Sequence, residues 1–236
     1  QTILVWKNSL WTCSSYVAGD YFSGKNNQLT EASILTTKTA NVLYRLPKEK
    51  WPNKIINPQI EQIYKVVKKF EKLKHQWVRL FGNETSMLLK ANWFKINQLC
   101  SNLNHSEIVN SQVFPNHYDM HPHNLLFKEN KPICLLDFDS IVITPVGYSI
   151  AYSALKQCRQ FISHSKDISA AKQVGRNYIE ILRINLELED LNWLNNLRSL
   201  AQIETLRRFS IILQLNLEGN NRWNKVMSLL IAHLYE

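Results

Sequence analysis

The chain has 236 residues, a net charge of +9, 45% hydrophobic and 20% charged residues, the balance of an ordinary soluble globular protein with room for one large or two small domains. No apolar run approaches the ~18 residues of a membrane helix, and no signal-peptide pattern opens the chain. Cys13, Cys100, Cys134 and Cys158 include no close pair, which excludes a zinc knuckle or disulfide framework and points to reduced thiols in the cytoplasm.

The opening residue is Gln1, and strand-like residues follow at once, so the chain reads as one that begins inside a fold. Residues 3–6 and 10–17 are β-rich and flank the turn residues Lys7, Asn8 and Ser9, which predicts a hairpin. Gly19 and Gly24 punctuate its exit. Leu29, Ala32, Leu35, Ala40 and Leu43 place a helix over 29–46, stopped by Pro47. A loop over 48–58 follows. Asn57 then reads as an N-cap, with Pro58 at the first helical position. Ile60, Ile63, Val67, Phe70, Trp77 and Leu80 carry that helix to residue 81, with Lys65, Lys68, Lys69, Lys72 and Arg79 on a solvated face. A further helix is expected over 85–103.

From Val113 the pattern breaks into short apolar pieces. Residues 125–127 and 133–136 read as two strands joined by a turn at Glu129–Pro132. After Pro145 the pattern is helical again, over 147–163, 167–186 and 190–217 and from Arg222 onward. There is no internal repeat.

Chemistry concentrates between residues 117 and 139. His117-Tyr118-Asp119-Met120-His121-Pro122-His123-Asn124 has the form HxDxxxxN, and Leu135-Leu136-Asp137-Phe138-Asp139 follows across the hairpin. Phosphoryl transfer needs a carboxylate at the attacking hydroxyl and oxygen ligands that hold Mg²⁺ on the phosphates. Asp119 suits the first role. Asn124 and Asp137 suit the second, because Mg²⁺ takes hard oxygen ligands, and a hairpin brings both to one end of two adjacent strands.

These residues resemble the catalytic loop and metal-binding segment of the aminoglycoside phosphotransferase family, which includes choline, homoserine and methylthioribose kinases. Protein kinases share the plan, but they place Lys where this chain has His121 and run a long activation loop after the second Asp. The resemblance reaches outward. Residues 11–22 are similar to the last small-lobe strand, the hinge and the linker glycine, and Pro145-Val146-Gly147-Tyr148-Ser149-Ile150-Ala151 to a family helix start that carries Asp where this chain has Ser149.

The resemblance implies an α+β, protein-kinase-like fold, with a mostly helical C-terminal lobe, a short β-hairpin insertion and a remnant hairpin of the N-terminal lobe. Residues 1–18 would be the end of the small lobe and the hinge, and 19–236 the catalytic lobe. It implies an ATP- and Mg²⁺-dependent phosphotransferase acting on a small-molecule hydroxyl; the basic charge of the chain, for its part, leads to a neutral or anionic acceptor being expected before a polycation. Asp119 would be catalytic and His117 would brace the loop. Asn124, Asp137 and Asp139 would serve the metal, and Ser15, Val17, Leu126 and Leu136 the nucleotide. The glycine-rich loop and phosphate-binding Lys that precede the hinge in the family have no counterpart here, so most of the small lobe is expected to be missing.

Two other readings stand beside this one. An inactive pseudokinase or binding module follows from the missing segments and from Ser149, with the exposed hairpin edge a place to pair with another chain. A metal hydrolase follows from the alternation of His117, Asp119, His121 and His123, although Pro122 interrupts any strand that would align them. The +9 charge permits phosphate or nucleic-acid binding, but basic and aromatic residues form no nucleic-acid motif.

Overall fold

The computed structural model describes residues 2–6, 9–13, 16–103 and 111–234, with residues 2–6, 9–13 and Ala171 described by their backbone alone. β1 (Thr2–Trp6) and β2 (Ser9–Cys13) form the expected antiparallel hairpin, with Thr2 opposite Cys13. The chain then enters β3 (Asp20–Tyr21) and α1 (Asn26–Tyr44). Gly24 makes the turn between them at φ 92°, where a Cβ would stand 2.4 Å from the Gln160 carbonyl oxygen, so only glycine fits. α1 buries Leu29, Ala32, Ala40 and Leu43, as its periodicity predicts.

α2 (Ile60–Lys72) starts after Gln59, so the expected Asn57 cap and Pro58 start are not used. It also ends earlier than its pattern indicates. A 3₁₀ turn at Lys74–Gln76 separates it from α3 (Trp77–Ser101). The cause is Trp77, whose buried indole Nε1–H donates to the Phe70 carbonyl at 3.0 Å and whose ring packs at a tilt of 58° against Trp93, with centroids 4.6 Å apart. That bond satisfies a C-terminal carbonyl of α2, which favours the break over continuation. The expected interruption between residues 81 and 85 is present at Gly82, which is non-helical at φ 77°.

β4 (Val113–His117) and β7 (Ile141–Pro145) pair antiparallel, with His117 directly opposite Ile141. The Tyr118 N–H donates to the Ser140 carbonyl at 2.9 Å and extends that closure by one step. Everything between 118 and 140 is therefore a loop pinned at its base. Inside it, β5 (Leu125–Lys128) and β6 (Lys131–Leu135) form the expected hairpin, and β3 adds to β5 with Tyr21 opposite Leu126.

The rest is helical: α4 (Val146–Ser165), α5 (Ala171–Asn185), a 3₁₀ turn at Asn192–Asn196, α6 (Leu197–Leu217) and α7 (Met227–His233). One core runs through them, with Tyr148, Leu182, Leu200, Leu206, Phe209, Leu213 and Met227 all buried. Among the described residues no helix is long and apolar enough to cross a membrane, and Cys100, Cys134 and Cys158 are free thiols.

Candidate active site

The loop places Asp119 two residues beyond the end of β4. Asn124, in a single 3₁₀ turn at Pro122–Asn124, donates its side-chain Nδ2–H to the Asp119 carbonyl at 2.8 Å. That commits the amide nitrogen and leaves the amide oxygen as the group available to a cation. Asn124 is also tied to the other side of the hairpin, because its carbonyl accepts from the Leu136 N–H at 2.8 Å. Asp137 follows directly.

His117 sits between the two carboxylates. Its Nε2 lies 2.8 Å from the Leu136 carbonyl, so it joins the end of β4 to the start of the Asp137 turn. Burial lowers its pKa, with the Leu136 bond and the Asp137 and Asp119 charges opposing, so the ring is neutral and donates from Nε2. Ser149, the serine in place of the expected aspartate, reaches the same loop from α4, its hydroxyl donating to the His117 carbonyl at 3.2 Å.

Asp137 adopts the left-handed conformation, φ 60° and ψ 52°. For a residue with a Cβ that costs about 1–2 kcal/mol, and Asp tolerates it better than most. The Ser140 hydroxyl donates to Asp137 Oδ2 at 2.6 Å, which orients an otherwise exposed carboxylate. Asp139, expected to serve the metal, lines a cleft with Leu46, Lys50 and Lys54.

The donor set fits Mg²⁺. Asn124 and Asp137 offer hard oxygen atoms on two linked strand ends, and Mg²⁺ ordinarily takes one or two carboxylates and completes its shell with water and phosphate. A zinc cage is not built from the four alternating residues. His117 is engaged with Leu136, and His121 Nδ1 accepts from the His123 N–H at 3.1 Å. Among the described residues no group of three His, Cys, Asp or Glu is arranged to hold a metal ion.

The electrostatics of Asp119 come from helices well beyond the motif. Lys156 on α4 brings Nζ to 3.2 Å from Oδ1, Arg208 on α6 brings Nη2 to 3.7 Å from the same oxygen, and His121 Nε2 lies 3.5 Å from Oδ2. Burial works to raise the Asp119 pKa, but Lys156 first and Arg208 second outweigh it, and the carboxyl stays below its usual range. Burial lowers the Lys156 pKa despite Asp119. Arg208 is itself anchored by Glu204, whose side chain is fully buried. Arg208 Nε donates to Oε1 at 2.5 Å, Arg207 Nε donates to Oε2 at 2.8 Å, and the Tyr148 hydroxyl also donates to Oε2. Arg207 Nη2 reaches on to the Tyr118 hydroxyl at 2.9 Å, next door to Asp119.

Sequence reasoning missed Lys156, Glu204, Arg207 and Arg208. A signal existed. Glu204, Arg207 and Arg208 stand at i, i+3 and i+4 in one helix, a spacing that puts a carboxylate and two guanidinium groups on one face. Of the expected nucleotide contacts, Leu126 is buried and Leu136 half-buried, while Val17 is exposed. Gly19 passes over Leu126, where an added Cβ would lie 3.3 Å from the leucine Cβ. Ser15 lies outside the described residues.

No protein-family model matches the chain, and no curated protein does. Solved structures do match. Choline kinase from Cryptosporidium parvum Iowa II superposes with a TM-score of 0.52 at 12% identity, over 93% of this chain and 68% of that one. An ethanolamine kinase from Plasmodium vivax gives 0.53 at 13% identity over 98% and 66%. The GDP complex of aminoglycoside 2′-phosphotransferase-IIIa gives 0.53 at 15% identity over 92% and 67%. The chain thus spans about two thirds of the length of the kinases it matches. The mostly helical, protein-kinase-like fold expected from the sequence is the fold of this chain.

Proposed function

We propose that the protein is an ATP-dependent phosphotransferase acting on a hydroxyl of a small molecule. The observation that carries this reading is the joining of Asp119, Asn124 and Asp137 by the Asn124–Asp119 and Leu136–Asn124 hydrogen bonds at the open end of one hairpin. The similarity in fold to choline and ethanolamine kinases and to aminoglycoside phosphotransferases supports it.

In this reading Asp119 accepts a hydrogen bond from the acceptor hydroxyl and aims its oxygen in line with the transferred phosphoryl group. A carboxylate held below its usual pKa by Lys156 and Arg208 is a weak base. It therefore orients the hydroxyl and takes the proton late, which suits a loose, metaphosphate-like transition state. Asn124 and Asp137 would hold Mg²⁺, which when bound offsets charge on the phosphates. Leu126 and Leu136 would floor the base, with Ser15 and Val17 at its edge. Residues 1–18 would then close the small-lobe side and 19–236 form the catalytic lobe, acting in the cytoplasm.

Two substitutions in the full-length protein test this. Asp119→Ala should lower turnover ~10²–10⁴-fold, the range for a positioned acid–base group, while nucleotide affinity changes little. Asp137→Ala should lower turnover and also remove the Mg²⁺ dependence of nucleotide binding. Wild-type turnover in either variant would sink the assignment and return the chain to a binding module.

A further inference from the structure

Lys156 and Arg208 face two ways. Both approach Asp119 Oδ1, and both also line one end of a cleft of about 300 Å³ between α4, α6 and α7. The rest of that cleft is apolar. Ile211, Trp223 and Leu229 edge it and stay 42%, 46% and 43% exposed, and Leu215 lies deeper. The cleft therefore has a largely desolvated cationic end at the candidate catalytic carboxylate and an apolar end away from it.

Among the described residues, charge is not balanced in the network behind this end, to which Arg207 belongs without lining the cleft. Lys156, Arg207 and Arg208 are three cations set against the carboxylates of Asp119 and Glu204. Glu204 is shared by both arginines, and Asp119 is shared by Lys156 and Arg208. Both cation heads are shielded from bulk water by aromatic faces, with Arg208 4.3 Å and Lys156 4.7 Å from the Tyr152 ring centre. His233, whose ring meets Tyr152, reports the same field: burial and then the charges of Arg159, Lys156 and Arg208 push its pKa down to about 3. A third anion at this end would complete the balance, whereas an ammonium would sit against two fixed cations.

We infer that the acceptor is an anionic amphiphile, carrying a carboxylate or phosphate within a few bonds of the reacting hydroxyl and an apolar portion that fills the α6–α7 end of the cleft. This deepens the phosphotransferase reading and rests on it for the role of the hydroxyl. The anion bridges Lys156 and Arg208, the hydroxyl turns to Asp119, and the chain lies against Leu215 and Trp223.

The test uses three matched probes: β-hydroxyoctanoate and its two counterparts in which an aminomethyl or a hydroxymethyl group replaces the carboxylate. Binding to the wild-type protein is followed by ligand-observed NMR titration without nucleotide. The acid should bind at least ~tenfold tighter than the amine, the size of one charge-assisted hydrogen bond gained against one repulsion, with the diol between. Lys156→Gln should remove most of the difference, and Trp223→Ala should weaken all three alike. Equal affinities, a preference for the amine, or no binding by any probe overturns the inference, and the wild-type comparison stands even if a variant fails to fold. Phosphoryl transfer from ATP to the amine but not the acid would overturn it while upholding the phosphotransferase reading. Tight binding of the acid in a protein that transfers nothing to any hydroxyl would uphold the cleft and count against that reading.

Discussion

From His117 to Ile141 the chain is held mainly by its own backbone: a strand pair at the base, a hairpin inside, and side chains such as Asn124 and His117 that bond to carbonyls rather than to each other. Just behind it, α4 and α6 meet through side chains alone, with Tyr148, Arg207 and Arg208 converging on the buried Glu204. The loop holds the carboxylates of Asp119, half-buried, and Asp137, exposed, on a frame of backbone bonds that does not depend on either. The network holds buried charges that depend on one another. A substitution at the tip of the loop should therefore change chemistry and spare the fold, and one in the network should do the reverse.

Glu204→Ala breaks the second half of that comparison most severely. It leaves two half-buried guanidinium groups without their carboxylate, and losing one partner of a buried pair costs about 3–5 kcal/mol. Urea unfolding should show that loss, with Asp119→Ala, which strips Lys156 of its carboxylate but leaves Arg208 on Glu204, losing less. Replacement by Gln, which keeps the shape but not the charge, should fall between. If Glu204→Ala unfolds at the wild-type midpoint, the network is not what joins the two helices.

His233 sharpens the contrast through pH. Its pKa is lowered from 6.5 to about 3, by burial first and by the surrounding cations second. Between those values the unfolded chain binds a proton that the folded one does not. Stability is therefore unaffected above about pH 6.5, is lost as pH falls through the window, and stops changing below pH 3, at up to about 1.4 kcal/mol per pH unit from this residue. Asp119, depressed by Lys156 and Arg208, adds a loss at the acid end as pH falls below its unfolded value of about 3.9. His233→Gln should flatten the dependence between pH 4 and 6 in denaturant titrations. An unchanged slope there would mean the histidine protonates freely in the folded protein.

The same contrast explains what could be read beforehand. Asp119, Asn124 and Asp137 were legible because a loop and a hairpin convert short spacing in sequence into proximity, and the residue types alone suggest the chemistry. Lys156 and Arg208 were not, because their meeting with Asp119 depends on how two helices pack. β7 has a signal of its own in the β-branched run Ile141-Val142-Ile143-Thr144, but it abuts the stronger helical pattern that begins after Pro145. The periodicity of α2 continues through the 3₁₀ turn and so predicts a longer helix than forms. Only the Trp77 indole on the Phe70 carbonyl shows why the helix stops.

The smallest effect tests whether the loop frame is indifferent to its reactive groups even at Asp137, where the backbone is left-handed. Two terms compete there. The conformation costs a residue with a Cβ about 1–2 kcal/mol. The Ser140 bond to the exposed carboxylate returns roughly 0.5–1.5 kcal/mol. Asp137→Ala keeps the first and loses the second, so it should destabilise by about 1 kcal/mol. Asp137→Gly loses both, and part of what it gains is spent on the greater entropy of glycine in the unfolded chain. It should therefore lie within about 0.5 kcal/mol of wild type and above the Ala variant. On the phosphotransferase reading both should lose turnover equally, since neither keeps the carboxylate that would hold the metal. Equal stability of Ala and Gly would show that the turn at Asp137 is relaxed, and the carboxylate would then hold its place without strain.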